Sequence, residues 1–156
     1  MYGAVMNAIG LYRIGNFCYK KNIPIVPFLC KASIFFLFNS VVPSSTKIGE
    51  GSRFAYGCIG VVLHGKATIG ERVIIGQGVT VGRKLSPQGV PVIGDDVYIS
   101  AGARILGDIN IGNNVIIGAN SVVVSDVPPN CIVAGAPARV IRVVEGSIYD
   151  LLENIY

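Results

Sequence analysis

Histidine occurs once in this chain of 156 residues, tryptophan not at all, and charged residues make up only 14%. One imidazole excludes any centre that needs two or three, such as a trihistidine zinc site. The charged fraction lies well below the roughly 25% usual for soluble domains. Mean hydropathy is +0.59, so part of the surface is expected to be covered, by other copies or by a membrane. The four cysteines, Cys18, Cys30, Cys58 and Cys131, are widely spaced and form no CxxC. That spacing is not one of the usual zinc or redox patterns, and they read as reduced, small apolar fillers in a cytosolic protein. Neither a dense basic stretch nor an aromatic platform is present, so the net charge of +4 hints at anionic partners and not at nucleic acid. The start MYGAVMNAIGLYRIG has no basic region ahead of an apolar core and no cleavage site, and does not read as a signal peptide. The longest uncharged apolar run, 32–42, falls short of the ~20 residues that span a bilayer. Pro24, Pro27 and Lys31 interrupt the longer segment 23–43. A buried or interfacial helix is expected there, in a cytoplasmic protein for which peripheral membrane contact stays open.

Glycine, by contrast, is abundant, at 20 residues, and it does not recur every third position as in collagen. Residues 1–43 read as a helical segment with two helices, over 4–19 and 26–38, separated by Lys20-Lys21-Asn22 and Pro24. From Ile48 a different period takes over. Aliphatic residues recur every six positions at Ile69, Ile75 and Val81, and again at Ile93, Ile99, Ile105, Ile111, Ile117 and Val123. Glycine follows most of them. Six is neither the period of a helix nor that of a plain strand. A short strand and a turn therefore repeat as a unit. Three units make one coil of a triangular parallel β-helix, with the aliphatic residue stacked inside on its counterpart one coil away. Glycine beside it is expected to relieve the turn. Two stretches break the period, 58–65 and 83–91. The second, RKLSPQGVP, holds Pro87 and lacks an aliphatic residue in phase, so it is expected as a loop thrown out of the coil. Such loops on a rigid scaffold commonly carry binding or catalysis.

The stretches GVTVG, VPVIGDDVYISAGARILGDINIGNNVIIGANSVV and DVPPNCIVAGAPARVIR resemble the hexapeptide-repeat acyltransferases, and within them the serine acetyltransferase branch and related sugar and polysaccharide O-acetyltransferases. The resemblance covers nearly the whole chain. It implies an all-β, left-handed parallel β-helix over 44–143, behind the short α-helical segment 1–43; the tail 144–156 reads as helical from its own apolar spacing. It implies an acetyl-CoA-dependent O-acetyltransferase that moves acetyl to a serine hydroxyl. Transfer to a sugar or polysaccharide is the alternative, and a non-catalytic β-helix scaffold a further one. It also implies a homotrimer with active sites between neighbouring subunits.

His64, directly after GVVL, is the candidate general base, since thioester acyl transfer needs the attacking hydroxyl deprotonated. The two positions where serine acetyltransferases carry histidine match Gly57 and Val90 here. Glu71, Asp95 and Asp96 are the carboxylates considered for orienting the imidazole. Arg83 and Lys84 in the extruded loop suit coenzyme A phosphates or an acidic acceptor. For acetyl-CoA, the resemblance points to Ser100, Ala101 and Ala119, whose small side chains admit the pantetheine arm, and to Arg139 and Arg142 for the nucleotide phosphates. No metal is expected, and the trihistidine zinc chemistry of β-helical carbonic anhydrases is excluded. Tyr98 is expected to face outward at a subunit contact. Ile148, Leu151, Leu152 and Ile155 are spaced for a tail helix covering the end of the prism.

Overall fold

A computed structural model describes residues 7–86 and 88–153. Two antiparallel-packed helices lead, α1 (Ala8–Lys20) and α2 (Val26–Phe38). Asn7 caps α1, its side chain accepting from the Ile9 amide at 3.0 Å. The first predicted helix therefore begins four residues later than the pattern suggested; residues 4–6 lie outside the described residues. Pro27 in the first turn and Asn39 in the left-handed conformation after Phe38 bound α2. Gly15 lets the two helices and the first coil meet, since a Cβ there would lie 2.7 Å from Ser44 Oγ and 3.0 Å from Cys30 Cβ.

The hexad period builds a left-handed parallel β-helix of three faces. The first face stacks β1 (Lys47–Ile48), β4 (Thr68–Ile69), β7 (Val92–Ile93) and β10 (Asn110–Ile111). The second stacks β2 (Arg53–Phe54), β5 (Ile74–Ile75), β8 (Val97–Ile99), β11 (Val115–Ile117) and β13 (Cys131–Gly135), closed by the antiparallel β14 (Ala138–Val143). The third stacks β3 (Val62–Leu63), β6 (Thr80–Gly82), β9 (Arg104–Leu106) and β12 (Val122–Val123). Regular coils pair 18 residues apart, as Val62 with Thr80 and Arg104 with Val122, while the first coil pairs at 21, Lys47 with Thr68. Across the extruded loop the offset grows to 24, Thr80 pairing with Arg104. The in-phase residues Leu63, Ile69, Ile75, Ile93, Ile99, Ile105 and Ile117 are buried in one continuous core.

The helices close the first end of the prism. Tyr12 enters the core; its hydroxyl donates to Thr46 O at 2.6 Å and accepts from the Ile48 amide at 3.2 Å. Asn16 donates to Ser44 O, and Arg13 to Ile48 O and Gly49 O. These donors satisfy first-coil carbonyls that have no preceding coil to pair with.

Three expectations need correction. The glycines that follow the inward aliphatics do not relieve a strained turn. Gly70, Gly76, Gly94, Gly112 and Gly118 have no positive φ; they are there for space. A Cβ on Gly76 would lie 2.7 Å from Ala101 N, and one on Gly112 2.7 Å from Pro129 Cα. The left-handed residues stand two places further on, as at Gly78, Arg72 and Asn114. The tail helix α3 (Ile148–Leu152) does not cover the end of the prism. With Val144 it packs on the outer side of the second face, against Tyr98, Ile116 and Ile132. Tyr98 therefore faces outward as expected, yet lies beneath the chain's own tail.

Candidate functional site

His64 follows β3 at the edge between the third and first faces. Residues three places after each third-face aliphatic share this edge, and the 18- and 24-residue offsets stack Lys66, Lys84, Asp108 and Asp126 along it. The extruded loop leaves from the same edge. His64, Lys66, Arg83, Gln88, Gly89 and Val90 line one cleft beneath it. The single histidine, the basic loop and the position matching a family histidine, Val90, thus come together although up to 26 residues separate them in sequence.

The His64 ring is half-buried, and its Nδ1 accepts from the Lys66 amide at 3.2 Å. A neutral imidazole accepting at Nδ1 carries its proton on Nε2. The ring must therefore give up the Lys66 bond to take a second proton. Arg83 lines the His64 cleft, whereas Lys84 turns along the edge over Gly107, with Nζ 3.5 Å from Val124 O. The two loop cations are not equivalent.

None of the carboxylates considered for the imidazole reaches it. Glu71, Asp95 and Asp96 stand at the next edge, between the first and second faces. There Arg72 bonds Asp96 through Nε at 2.7 Å and Nη2 at 2.8 Å, and Glu71 through Nη1 at 2.9 Å. Asp95 accepts from the Glu71 amide at 2.8 Å. The Arg72 guanidinium holds the Asp96 carboxyl below the usual carboxylate range. These groups are committed to one another. Of the two carboxylates at the His64 edge, Asp108 and Asp126, it is Asp108 that packs so closely against the loop that a Cβ on Gly89 would collide with it. Sequence reading missed Asp108 because it requires counting the loop's six extra residues into the coil. With that count, Asp108 stacks in the column of Lys66.

Ser100, Ala101 and Ala119 are brought together at the third edge, between the second and third faces. The Ser100 amide donates to Ile117 O, and the Asn120 amide to Ala101 O, at 2.9 Å each. Arg139 pairs with Ala134, which packs on Gly118, so it stands at the same edge. Arg142 pairs with Ile132, two residues back along β13, beside α3. Arg104, not singled out from the sequence, also reaches this edge, donating to Gly78 O and Gly102 O. Among the described residues no group of three or more His, Cys, Asp or Glu side chains is placed to hold a metal ion. All four cysteines are free thiols, and burial pushes Cys58 up to about 12, well away from a reactive thiolate.

Coils of this kind, with a loop extruded at one edge and a hairpin closing one face, define a hexapeptide-repeat β-helix. A family model described as "Bacterial transferase hexapeptide (six repeats)" matches residues 91–125. The serine acetyltransferase of Synechococcus elongatus is 38% identical over 136 residues, covering 86% of this chain and 55% of that protein. A serine acetyltransferase solved in complex with CoA superposes with a TM-score of 0.78 at 36% identity, covering 86% of this chain and 55% of the other. The Neisseria gonorrhoeae serine acetyltransferase in complex with serine gives 0.79 at 34%, with the same coverage. The chain spans a little over half the length of these relatives. It belongs to the hexapeptide-repeat acyltransferase family, in its serine acetyltransferase-like branch.

Proposed function

We propose that the chain is an acetyl-CoA-dependent O-acetyltransferase that acts on the hydroxyl of serine. The observation that carries this reading is the cleft at the extruded loop, where the only imidazole stands among Lys66, Arg83 and Gln88 in a fold similar to serine acetyltransferases that bind CoA and serine. In the proposed step His64 takes the hydroxyl proton as the oxygen attacks the thioester carbonyl. The C–O bond forms, the C–S bond breaks, and the imidazolium returns its proton to the departing thiolate. Lys66 and Arg83 suit a carboxylate, and Asp108 at the rim suits an ammonium, which together match an amino-acid acceptor.

Acetyl-CoA is assigned to Ser100, Ala101 and Ala119, with Arg139 and Arg142 toward the phosphates. His64 and this ladder stand on opposite edges of the third face. Five residues of extended strand separate the edges by roughly 15 Å. A homotrimer that lays the His64 edge of one chain against the small-residue edge of the next supplies both halves of one site. A sugar or polysaccharide acceptor is the second reading, favoured by Val90 lining the cleft where serine acetyltransferases carry histidine.

The test is free CoA release from acetyl-CoA with serine, homoserine and a panel of sugars. Serine-dependent release supports the first reading, and release only with a sugar supports the second. Asp108→Asn is expected to raise KM for serine roughly 10-fold or more, from the loss of one charge-assisted bond, and to leave KM for a neutral sugar unchanged. An unchanged KM for serine removes Asp108 from acceptor binding.

A further inference from the structure

The α1–α2 hairpin buries only one stripe of each helix. Cys30, Ile34 and Phe38 face inward from α2. The rest of that helix is apolar and open to solvent: Phe36 is 83% exposed and Phe28 70%, with Leu29, Phe35 and Leu37 around half. Phe28, Phe35 and Phe36 border a single cleft with Ala32 and Val41. The turn between the helices continues this surface, because its tip is Ile23-Pro24-Ile25. Ile25 is 69% exposed at φ 72°, a conformation a β-branched side chain rarely takes. So large an apolar surface marks a docking site.

Charge says what docks there. Residues 1–49 contain Arg13, Lys20, Lys21, Lys31 and Lys47 and no acidic residue. The remaining 107 residues are close to neutral, with eight basic and nine acidic side chains. Arg13 is committed to the prism end. Lys20, Lys21 and Lys31 are exposed, at the end of α1 and on the flank of the α2 stripe. An apolar face ringed by lysines and free of carboxylates complements an anionic bilayer surface. A second copy docked on this face would bring lysines against lysines with no acid to pair them. Neither helix is long and apolar enough to cross a membrane.

We infer that the α1–α2 hairpin is a docking surface for an anionic lipid bilayer. The Ile25 tip and the Phe28–Phe36 stripe enter the interface, and Lys20, Lys21 and Lys31 meet the phosphates. This places the acyltransfer site beside a membrane whichever acceptor it takes, and does not depend on which one that is.

The test is flotation of the full chain with phosphatidylcholine vesicles, with and without phosphatidylglycerol. Binding is expected only with phosphatidylglycerol, and to weaken as salt rises. Replacing Lys20 and Lys21 together by Gln should weaken it roughly 30-fold, at about one basic residue's usual contribution each. Phe28→Ser with Phe36→Ser should weaken it more than about 10-fold. Both pairs are exposed, so circular dichroism and the assembly mass should stay unchanged. Equal binding to both vesicle types, or none to either, overturns the inference. So does a Phe28→Ser, Phe36→Ser protein whose assembly mass falls while vesicle binding is unaltered, since the face would then join copies of the chain.

Discussion

Asn120 takes the place of Gly102 and Gly78 on successive coils, with φ 54° against 71° and 66°. The edge demands a left-handed residue there, and asparagine supplies one without glycine's backbone freedom. Asn120→Val is therefore expected to lower stability by about 1–2 kcal/mol, and Asn120→Gly to change it far less, both read by denaturant unfolding. At the neighbouring edge the Arg72–Asp96 pair adds a pH dependence. Its hydrogen bonds from Arg72 lower the Asp96 pKa in the folded chain. A depressed carboxyl contributes stability above its unfolded value, near 3.8, and loses it as pH falls through the lower folded value. Arg72→Gln should flatten that acid limb of the thermal midpoint and leave neutral pH nearly unaffected, as suits a partly exposed pair. A limb of unchanged slope would assign the pH dependence to other carboxylates. Single residues were only partly legible in sequence. His64 stood out because it is unique and breaks the glycine pattern. Its edge neighbour Asp108 did not, because the fold brings it to that edge only after further coils and the extruded loop have intervened.

The strands were legible because each carries one inward aliphatic at a fixed spacing that no other regular structure produces. The helices were legible in place, but α2 is apolar on nearly every side, so its sequence could not say which side is buried. The tail was misread for a related reason. Ile148 and Leu152 announce an apolar face, but what they cover is the outward row Tyr98, Ile116 and Ile132, and outward positions of a β-helix face carry no periodic signal of their own. Once the tail is seen there, its local sequence makes sense. Ser147 caps the helix, accepting from the Tyr149 amide at 3.2 Å, and Asp150 accepts from the Ser147 amide at 3.3 Å. Tyr149 Oη donates to Arg72 O at 2.6 Å, tying the tail to the ion-pair edge. Ser147→Ala is expected to cost about 1 kcal/mol and Ile148→Ala, fully buried, about 2–5 kcal/mol. Calorimetry would check both. Amide exchange at Ile116 and Ile132 that is unchanged in Ile148→Ala would show that the tail does not protect the face.

At the scale of the whole molecule, a parallel β-helix with one loop per site divides its chemistry between edges. The base candidate and loop stand at one edge, the small-residue ladder at another, and the third is locked by Arg72, Asp96 and the tail. The proposed site needs the first two of these edges. The proposed trimer follows from that division, and light scattering should give three chains at micromolar concentration; a stable monomer with full activity would require both halves of the site within one chain. The most direct test of the account is serine-dependent CoA release by purified wild-type and His64→Ala protein, with matched assembly mass and helix-to-strand content. The account predicts that the wild type releases CoA only when serine is present, and that His64→Ala is slower by about 10²–10⁴-fold, the range for loss of a general base, with acetyl-CoA affinity little changed. Near-normal turnover in His64→Ala would contradict it, and would move the chemistry away from the cleft beneath the extruded loop.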